Sequence, residues 1–223
     1  MSRYKDLGNI GLPDPEEFRR IIEKCEEEWG ISDCIYIKSI DEFSRVRLDQ
    51  LAEKHEVSIL RPFLLTWGSM VRVLGKKEGT KAILMKLKEI SHKLEPLREK
   101  DFSSVDLNEI KDLIVELFDE IRETEFENRK RKQKKVGSTA ASKVLHLTCP
   151  DLFFMWDLNI RNYYEKNKGD GKEYFDFLTQ MKEMCKSKEL ETTIGDLQRE
   201  SGKKITRMID QYNWVKARPE SNS

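Results

Sequence analysis

The stretch VGSTAASKVLHLTCPDLFFMWD, residues 136–157, decides the fold. A turn at Gly137 leads into a short helix of small and apolar residues, and Pro150 ends that helix because proline cannot continue it. Bulky apolar residues then lead to Asp157, a side chain suited to the N-cap of the next helix. We therefore expect the rest of the chain to be organised around this stretch.

Apolar residues elsewhere in the chain recur with helical spacing. This pattern predicts a helix after Pro13–Glu17 and further helices over residues 39–54, 57–74, 77–94, 105–125, 174–185 and 205–215. The most apolar of these, Val57–Leu74, predicts a central buried helix, whereas Cys34–Ile37 predicts a short strand or extended link. The sequence thus predicts an all-α fold with a single helical domain over residues 1–223. Its N-terminal helices, 1–54, are expected to pack on a core of 57–216, with a frayed tail at 217–223.

The composition excludes several classes of protein. Lys+Arg and Asp+Glu both number 41, so the net charge is near zero and a uniformly basic coat for nucleic acid is excluded. The four cysteines form no Cys-x-x-Cys pair and the three histidines lie far apart, so neither a disulfide framework nor a metal site is predicted. We expect a cytoplasmic protein with reduced thiols and no cofactor. The sequence contains no run of about 18 apolar residues, so no membrane span is predicted.

A basic run, RKRKQKK at residues 129–135, comes just before Gly137. Like charges at this density repel one another unless an anionic partner meets them. Because backbone N–H groups at a helix start bind phosphate, the run and the turn together predict a surface for nucleic acid, most naturally DNA. The predicted contacts are Lys132, Lys134, Lys135, Gly137, Ser138, Thr139 and Lys143. The alternative is a solvated loop.

The segment from Lys134 to Arg161 resembles the helix-hairpin-helix DNA glycosylases, in particular the oxoguanine-type members. In that superfamily a glycine hairpin between two helices grips a DNA phosphate, and a helix and an extended link then lead to an aspartate. Gly137 and Asp157 stand in that relation. The chain keeps only one of the two usual hairpin glycines, and Thr139 stands where bifunctional members carry a Schiff-base lysine. The resemblance implies a helix-hairpin-helix-like element within the all-α domain.

The resemblance also implies a catalytic role for Asp157. In a monofunctional glycosylase, such a carboxylate opposes positive charge on the sugar or activates water, and base release leaves an abasic site. The pocket residues expected around it are Trp67, Arg72, His146, Trp156 and Arg161. Trp156 and Phe154 would then stack on a flipped base.

Each of these residues also has a structural interpretation. Asp157 suits a helix cap paired with Arg161, and His146 suits a buried, hydrogen-bonded histidine. The aromatic residues suit a core, and Arg61 and Arg72 suit side chains that extend to the surface. Two functions therefore remain open. One is a DNA glycosylase-like enzyme that binds DNA backbone through a basic hairpin and excises a damaged base. The other is a non-catalytic all-α module that binds nucleic acid or protein.

Overall fold

The computed structural model describes residues 13–28, 30–66, 70–74 and 77–218, with the backbone alone at 30–32, 66, 71 and 72. This part of the chain is mostly helical, which confirms the predicted all-α class. Its helices are α1 (Pro15–Glu28), α2 (Gly30–Ser44), α3 (Glu53–His55), α4 (Arg61–Thr66), α5 (Val71–Leu74), α6 (Glu78–Glu89), α7 (Ser91–Leu94), α8 (Lys111–Arg122), α9 (Ser138–Thr148), α10 (Leu158–Tyr163), α11 (Gly171–Met184), α12 (Lys188–Ser201) and α13 (Ile205–Lys216).

α1 begins and buries its apolar face as the sequence predicts. The side chain of Asp14 accepts a hydrogen bond from the N–H of Glu17 at 2.9 Å, which satisfies one of the open donors at the helix start. The buried face consists of Phe18, Ile21, Ile22 and Cys25. Phe18 packs against Tyr212 of α13 with 5.2 Å between ring centroids, so α1 lies against the C-terminal helices.

The predicted strand or extended link at Cys34–Ile37 is wrong, because this segment lies inside α2. Its aromatic and β-branched residues are locally typical of a strand. However, Tyr36, Ser39 and Phe43 share one buried face at helical spacing, and their burial outweighs the local preference.

The helix predicted from Ser39 to Lys54 is also displaced. The predicted helix start at Ser39 lies within α2, and α2 ends at Ser44. The end is fixed from outside, since the guanidinium of Arg98 donates to the carbonyls of Phe43 and Ser44 at 2.9 and 2.8 Å. These carbonyls belong to the last turn, which lacks intrahelical donors.

Val57–Leu74 is not a single buried helix, contrary to the prediction. A π-helical turn, Glu56–Leu60, leads into α4, and α5 is a separate helix. Val57 and Val73 are 50% and 44% exposed, so the segment is buried on one face only. That face consists of Ile59, Leu60, Phe63, Leu64, Met70 and Leu74.

Arg61 has a structural partner instead of a place at the surface or in a site. Its guanidinium donates two hydrogen bonds, of 3.0 and 2.7 Å, to the fully buried carboxylate of Glu56. The hydroxyl of Thr80 donates to the same carboxylate. A buried acid with these partners joins the start of α4 to α6.

Two predicted helices are shorter in the structure. Lys77–Leu94 is interrupted at Ile90, which separates α6 from α7. Val105–Glu125 is helical only from Lys111 to Arg122, because residues 107–110 form a turn. The side chain of Asp106 accepts the N–H of Asn108 at 2.9 Å, a local bond that competes with helix formation.

The sheet within the described residues is a hairpin of two strands, β1 (Glu125–Glu127) and β2 (Gln133–Lys135). The strands are antiparallel, with Phe126 opposite Lys134. Phe126 is buried and β1 packs against α6, which holds the hairpin to the helical body. The basic run therefore forms the loop and second strand of a β-hairpin. Because this hairpin joins α8 to α9, the compact helix-hairpin-helix-like element is not confirmed.

The core is one cluster of buried apolar side chains that extends from α1 to α13. α9 lies at its centre, since every residue from Ala140 to Thr148 is buried and the helix packs against α2, α4 and α8. The predicted centre, Val57–Leu74, is therefore displaced by the helix of the 136–157 stretch. None of the described helices is long and apolar enough to cross a membrane. Residues 219–223 of the predicted tail lie outside the described residues.

Candidate functional site

The β1–β2 hairpin ends directly at the start of α9. Beyond β2, the N–H of Val136 donates to Thr124 O and the N–H of Gly137 donates to Arg122 O, each at 3.0 Å. Gly137 is the N-cap of α9 with a φ of 81°, a conformation that glycine adopts without strain. The first turn of α9, residues 138–140, presents N–H groups that have no acceptor within the helix. Gly137 itself offers no open N–H, contrary to its predicted role in phosphate binding.

The cations of the basic run differ in their surroundings. Lys135 pairs with Glu123, and Arg129 pairs with Glu78 at 3.2 Å. The other cations of the run are exposed and form no ion pair with the described part of the chain; they are Lys130, Arg131, Lys132 and Lys134. We call these side chains and the first turn of α9 the hairpin surface. Its predicted members Lys132 and Lys134 are therefore available to a partner, whereas Lys135 is already neutralised.

The tip of the hairpin is a defined turn. The side chain of Asn128 accepts the N–H groups of Lys130 and Lys132, at 2.9 and 3.1 Å. Arg131 has a left-handed φ of 55°, a conformation that costs a non-glycine residue roughly 1–2 kcal/mol. The turn thus holds its cations on a fixed backbone and not on a disordered loop.

Ser138 connects the start of α9 to the loop before α11. Its hydroxyl donates to Gly169 O at 2.5 Å, so only its N–H faces a ligand. Gly169 has a φ of 63°, and a Cβ there would lie 2.0 Å from Nη1 of Arg161. Arg161 therefore packs edge-on against the glycine backbone, and its guanidinium lies 5.8 Å from the Trp156 ring. The predicted site residues Ser138 and Arg161 are brought together in this way, whereas Thr139 is half-buried.

A buried extended segment, residues 153–156, leads from α9 to Asp157, and we call it the strap. Four side chains satisfy its backbone. His146 Nδ1 donates to Phe153 O and the hydroxyl of Tyr174 donates to Phe154 O, both at 2.7 Å. The N–H of Met155 donates to Oδ1 of Asp210 at 2.8 Å, and the N–H of Trp156 donates to Oγ of Ser142 at 2.9 Å. The partners come from α9, α11 and α13, and sequence reasoning identified only His146 among them.

His146 is a structural residue, not a pocket residue. It is fully buried, and burial lowers its pKa to about 4, so the ring is neutral near pH 7. Because Nδ1 donates to Phe153 O, Nε2 accepts from the hydroxyl of Tyr36, at 2.7 Å. Both ring nitrogens are therefore occupied, and the alternative interpretation as a buried, hydrogen-bonded histidine is correct.

The aromatic residues of the strap belong to the core. Trp156 and Phe154 are fully buried, so the expectation that they stack on a flipped base is wrong. The Trp156 ring stacks on Phe177 at 5.7 Å and lies 5.4 Å from Tyr174. Two other predicted pocket groups, Trp67 and the side chain of Arg72, lie outside the described residues.

Asp157 is the N-cap of α10, as the sequence predicts. Its Oδ1 accepts the N–H of Ile160 at 2.9 Å, and the residue is partly exposed. It forms no ion pair with Arg161, contrary to the structural interpretation, nor with any other described residue. Its negative charge nevertheless acts on three cations, since it raises the pKa values of Lys143, Arg161 and Arg218 against the lowering effect of burial. Asp157 thus lies within electrostatic range of cations from α9, α10 and the C-terminal segment.

Lys143 is in the interior, not on the hairpin surface. It is 5% exposed, and burial lowers its pKa to about 8 although Asp157 and Asp210 act in the opposite direction. The prediction that it meets DNA phosphate is therefore wrong. The reason is its place on α9, which is buried on all sides at this position. A buried amine with a pKa near 8 has a sizeable neutral fraction close to neutral pH.

Asp210 is the least expected member of the site. Its side chain is buried, with Oδ1 bonded to the strap and Oδ2 3.7 Å from Nδ1 of His146. Burial raises its pKa well above the usual range, against the lowering effect of Arg207 and Lys143. A lone acid among the apolar residues of α13 was the available sequence signal.

The structure also contains a polar cleft of about 360 Å³, lined by Ser44, Glu95, Arg98, Glu99, Leu147, Thr148, Pro150 and Asp151. It lies at the C-terminal end of α9, whereas the hairpin surface lies at the N-terminal end. Asp157 does not line it. The guanidinium of Arg98 donates to a backbone carbonyl and to the carboxylate of Glu95, so it already has partners within the chain. Across the described residues, no three metal-binding side chains converge.

No protein-family model matches this chain, and no curated protein or solved structure shows significant similarity to it. The resemblance to helix-hairpin-helix glycosylases therefore rests on the residues of the 134–161 segment alone.

Proposed function

We propose that this chain is a DNA glycosylase-like enzyme that binds DNA backbone through the hairpin surface and excises a base beside Asp157. The hairpin surface carries the proposal. Four exposed cations, unpaired with any described residue, lie on the hairpin that leads into α9, a helix whose first-turn N–H groups have no acceptor within the helix. Lys and Arg side chains and helix N-termini are the groups with which proteins contact DNA phosphates.

The position of Asp157 supports the excision step. Ser138 at the start of α9 and Arg161 of α10 both lie against Gly169, which links the helix that Asp157 caps to the helix that follows the hairpin. Partial exposure lets a sugar approach, and Lys143, Arg161 and Arg218 lie within electrostatic range of the carboxylate. As the bond between C1′ and the base nitrogen breaks, the base leaves with the electron pair and the carboxylate opposes the positive charge on the sugar. Water then adds to C1′, and the proton that it loses neutralises the departing base anion, which leaves an abasic sugar and a free base.

Because Trp156 and Phe154 are sealed in the core, other groups must contact the flipped base. Leu158 directly follows Asp157 and is 57% exposed, which makes it the apolar group best placed for this contact. The proposal therefore assigns the base to the outer side of α10.

The test is base release from duplexes that carry uracil, 8-oxoguanine, an alkylated purine or a mismatch, measured as abasic sites. Asp157→Asn keeps a capping side chain and should lower release by about two orders of magnitude with unchanged DNA affinity. Asp170→Asn is the matched control, because Asp170 caps α11 with the same 2.9 Å bond but lies in another helix. If the wild-type chain releases no base from any duplex, the enzyme proposal fails.

The second candidate is a non-catalytic module that binds nucleic acid through the same surface. It is favoured by the bond that Asp157 makes to Ile160, which gives the acid a structural role sufficient to explain its presence. This candidate predicts salt-dependent binding without base release from any duplex.

A further inference from the structure

We propose that Tyr174 and Asp210, together with Ser142 and His146, are positioning residues that fix Asp157 through the strap. The inference rests on the proposed function, since it concerns the acid to which that function assigns the chemistry. Neither Tyr174 nor Asp210 touches Asp157 through a hydrogen bond. Each acts on the backbone that leads to it.

The strap is costly to bury. It pairs with no described strand, and the N–H of Phe153 alone has a backbone partner, Cys149 O at 3.1 Å, so its other polar groups need side-chain partners in the interior. Dedicated side chains bind four of these groups, on every residue from Phe153 to Trp156. One of the side chains, Asp210, is itself costly to bury. It is 2% exposed, and its Oδ2 has no hydrogen-bond partner among the described residues.

The strap leads directly to the proposed catalytic acid. Asp157 directly follows Trp156, whose N–H is held by Ser142 at 2.9 Å, and Asp157 then caps α10 through Ile160. The strap is bonded to α9, α11 and α13, so the acid is fixed relative to three helices and not only to its own. Catalytic groups need this kind of support, because a displacement of about 1 Å can cost two orders of magnitude in rate.

The experiment compares two single-atom deletions. Tyr174→Phe removes the hydroxyl that donates to Phe154 O at 2.7 Å, and Tyr164→Phe removes a buried hydroxyl that donates to Asn213 at 2.7 Å outside the strap. We expect Tyr174→Phe to lower the single-turnover excision rate about 10- to 100-fold with an unchanged Kd for DNA. Tyr164→Phe should change the rate less than about twofold. Equal effects of the two variants, or no effect of Tyr174→Phe, would overturn the proposal.

Rescue by a conservative change separates positioning from general stability. Asp210→Asn keeps an oxygen that accepts the N–H of Met155, so its rate should stay within about threefold of wild type, whereas Asp210→Ala should match Tyr174→Phe. A rate for Asp210→Asn as low as that for Asp210→Ala would contradict the positioning role.

A second measurement does not depend on activity. Amide hydrogen exchange at Ile160 reports the cap that Asp157 makes, and exchange at Met155 and Trp156 reports the strap. We expect Tyr174→Phe to accelerate exchange at all three amides and Tyr164→Phe to leave them unchanged, although Tyr164 contacts the other end of α10. Unchanged exchange at Ile160 in Tyr174→Phe refutes the link between strap and acid. Absence of base release by the wild type refutes the proposed function instead, and the exchange pattern then decides the positioning role alone.

Discussion

The hairpin surface predicts a measurable salt dependence of DNA binding. Its exposed cations are Lys130, Arg131, Lys132 and Lys134, and none has an ion pair among the described residues. Each phosphate neutralised on duplex DNA contributes about 0.9 to the slope of log K against log salt, so four contacts predict a slope of about −3.6. Between 50 and 200 mM salt, such a slope lowers the affinity roughly 150-fold.

The perturbation is the triple variant Lys130→Ala, Lys132→Ala and Lys134→Ala, which leaves Arg131. The slope should fall to about −0.9, and the same rise in salt should then cost only about 3- to 4-fold in affinity. All three side chains are exposed, so the circular dichroism spectrum and Tm should not change. Lys135→Ala is the control in the same strand, because its charge is already offset by Glu123 and its removal should alter the slope least.

Fluorescence anisotropy with a labelled undamaged duplex measures these slopes directly. The reasoning is refuted if the triple variant keeps the wild-type slope, which would assign the basic run to a solvated hairpin. It is also refuted if Lys135→Ala alone flattens the slope as much as the triple variant does.

Three further outcomes can be checked by thermal or denaturant unfolding. Asp157→Ala should cost about 1 kcal/mol through the lost cap and Asp157→Asn much less, and equal losses would argue against the cap. Lys143→Met should be more stable than wild type by up to about 3 kcal/mol at pH 7, because burial lowers the folded-state pKa of Lys143 to about 8 from a usual value of 10.5. Between pH 8 and 10.5 the unfolded wild type binds more protons than the folded wild type, so its free energy of unfolding rises with pH. The difference in stability between Lys143→Met and wild type should therefore shrink over this range. A difference that does not change with pH would contradict a buried, titrating amine. Gly169→Ala should lower Tm more than Gly202→Ala, since both have positive φ but only Gly169 has Arg161 against it.

The elements that sequence patterns predict well are those whose signals are local. The cap at Asp14 and the spacing of Phe18, Ile21, Ile22 and Cys25 specify α1 without any tertiary information. Asp157 was placed at a helix start for the same reason, since a short polar side chain after an apolar segment is a local N-cap signal. The all-α class follows from the many segments in which apolar residues recur at helical spacing.

The misplaced elements depend on partners far away in sequence. Cys34–Ile37 is strand-like by composition, but Tyr36 is bonded to His146, and that partner decides its helical place. Lys143 is predicted to contact nucleic acid but is buried; lysine is almost never fully buried, and no local pattern indicates that α9 is enclosed on all sides. The partners of the strap could not be predicted, because Tyr174 and Asp210 lie in helices distant in sequence and helical spacing says nothing about which strap groups they contact.

The bonds of the strap have a consequence for the order of folding. The bond from Tyr174 spans 20 residues and the bond from Asp210 spans 55. Forming these contacts therefore costs the loop-closure entropy of the chain between the partners. α9 can form and collapse with α8 while residues 153–156 are still solvated. We therefore expect α13 to dock late and Asp157 to acquire its final orientation only in that step. In pulse-labelled exchange during refolding, protection at Met155 should accordingly appear after protection in α9.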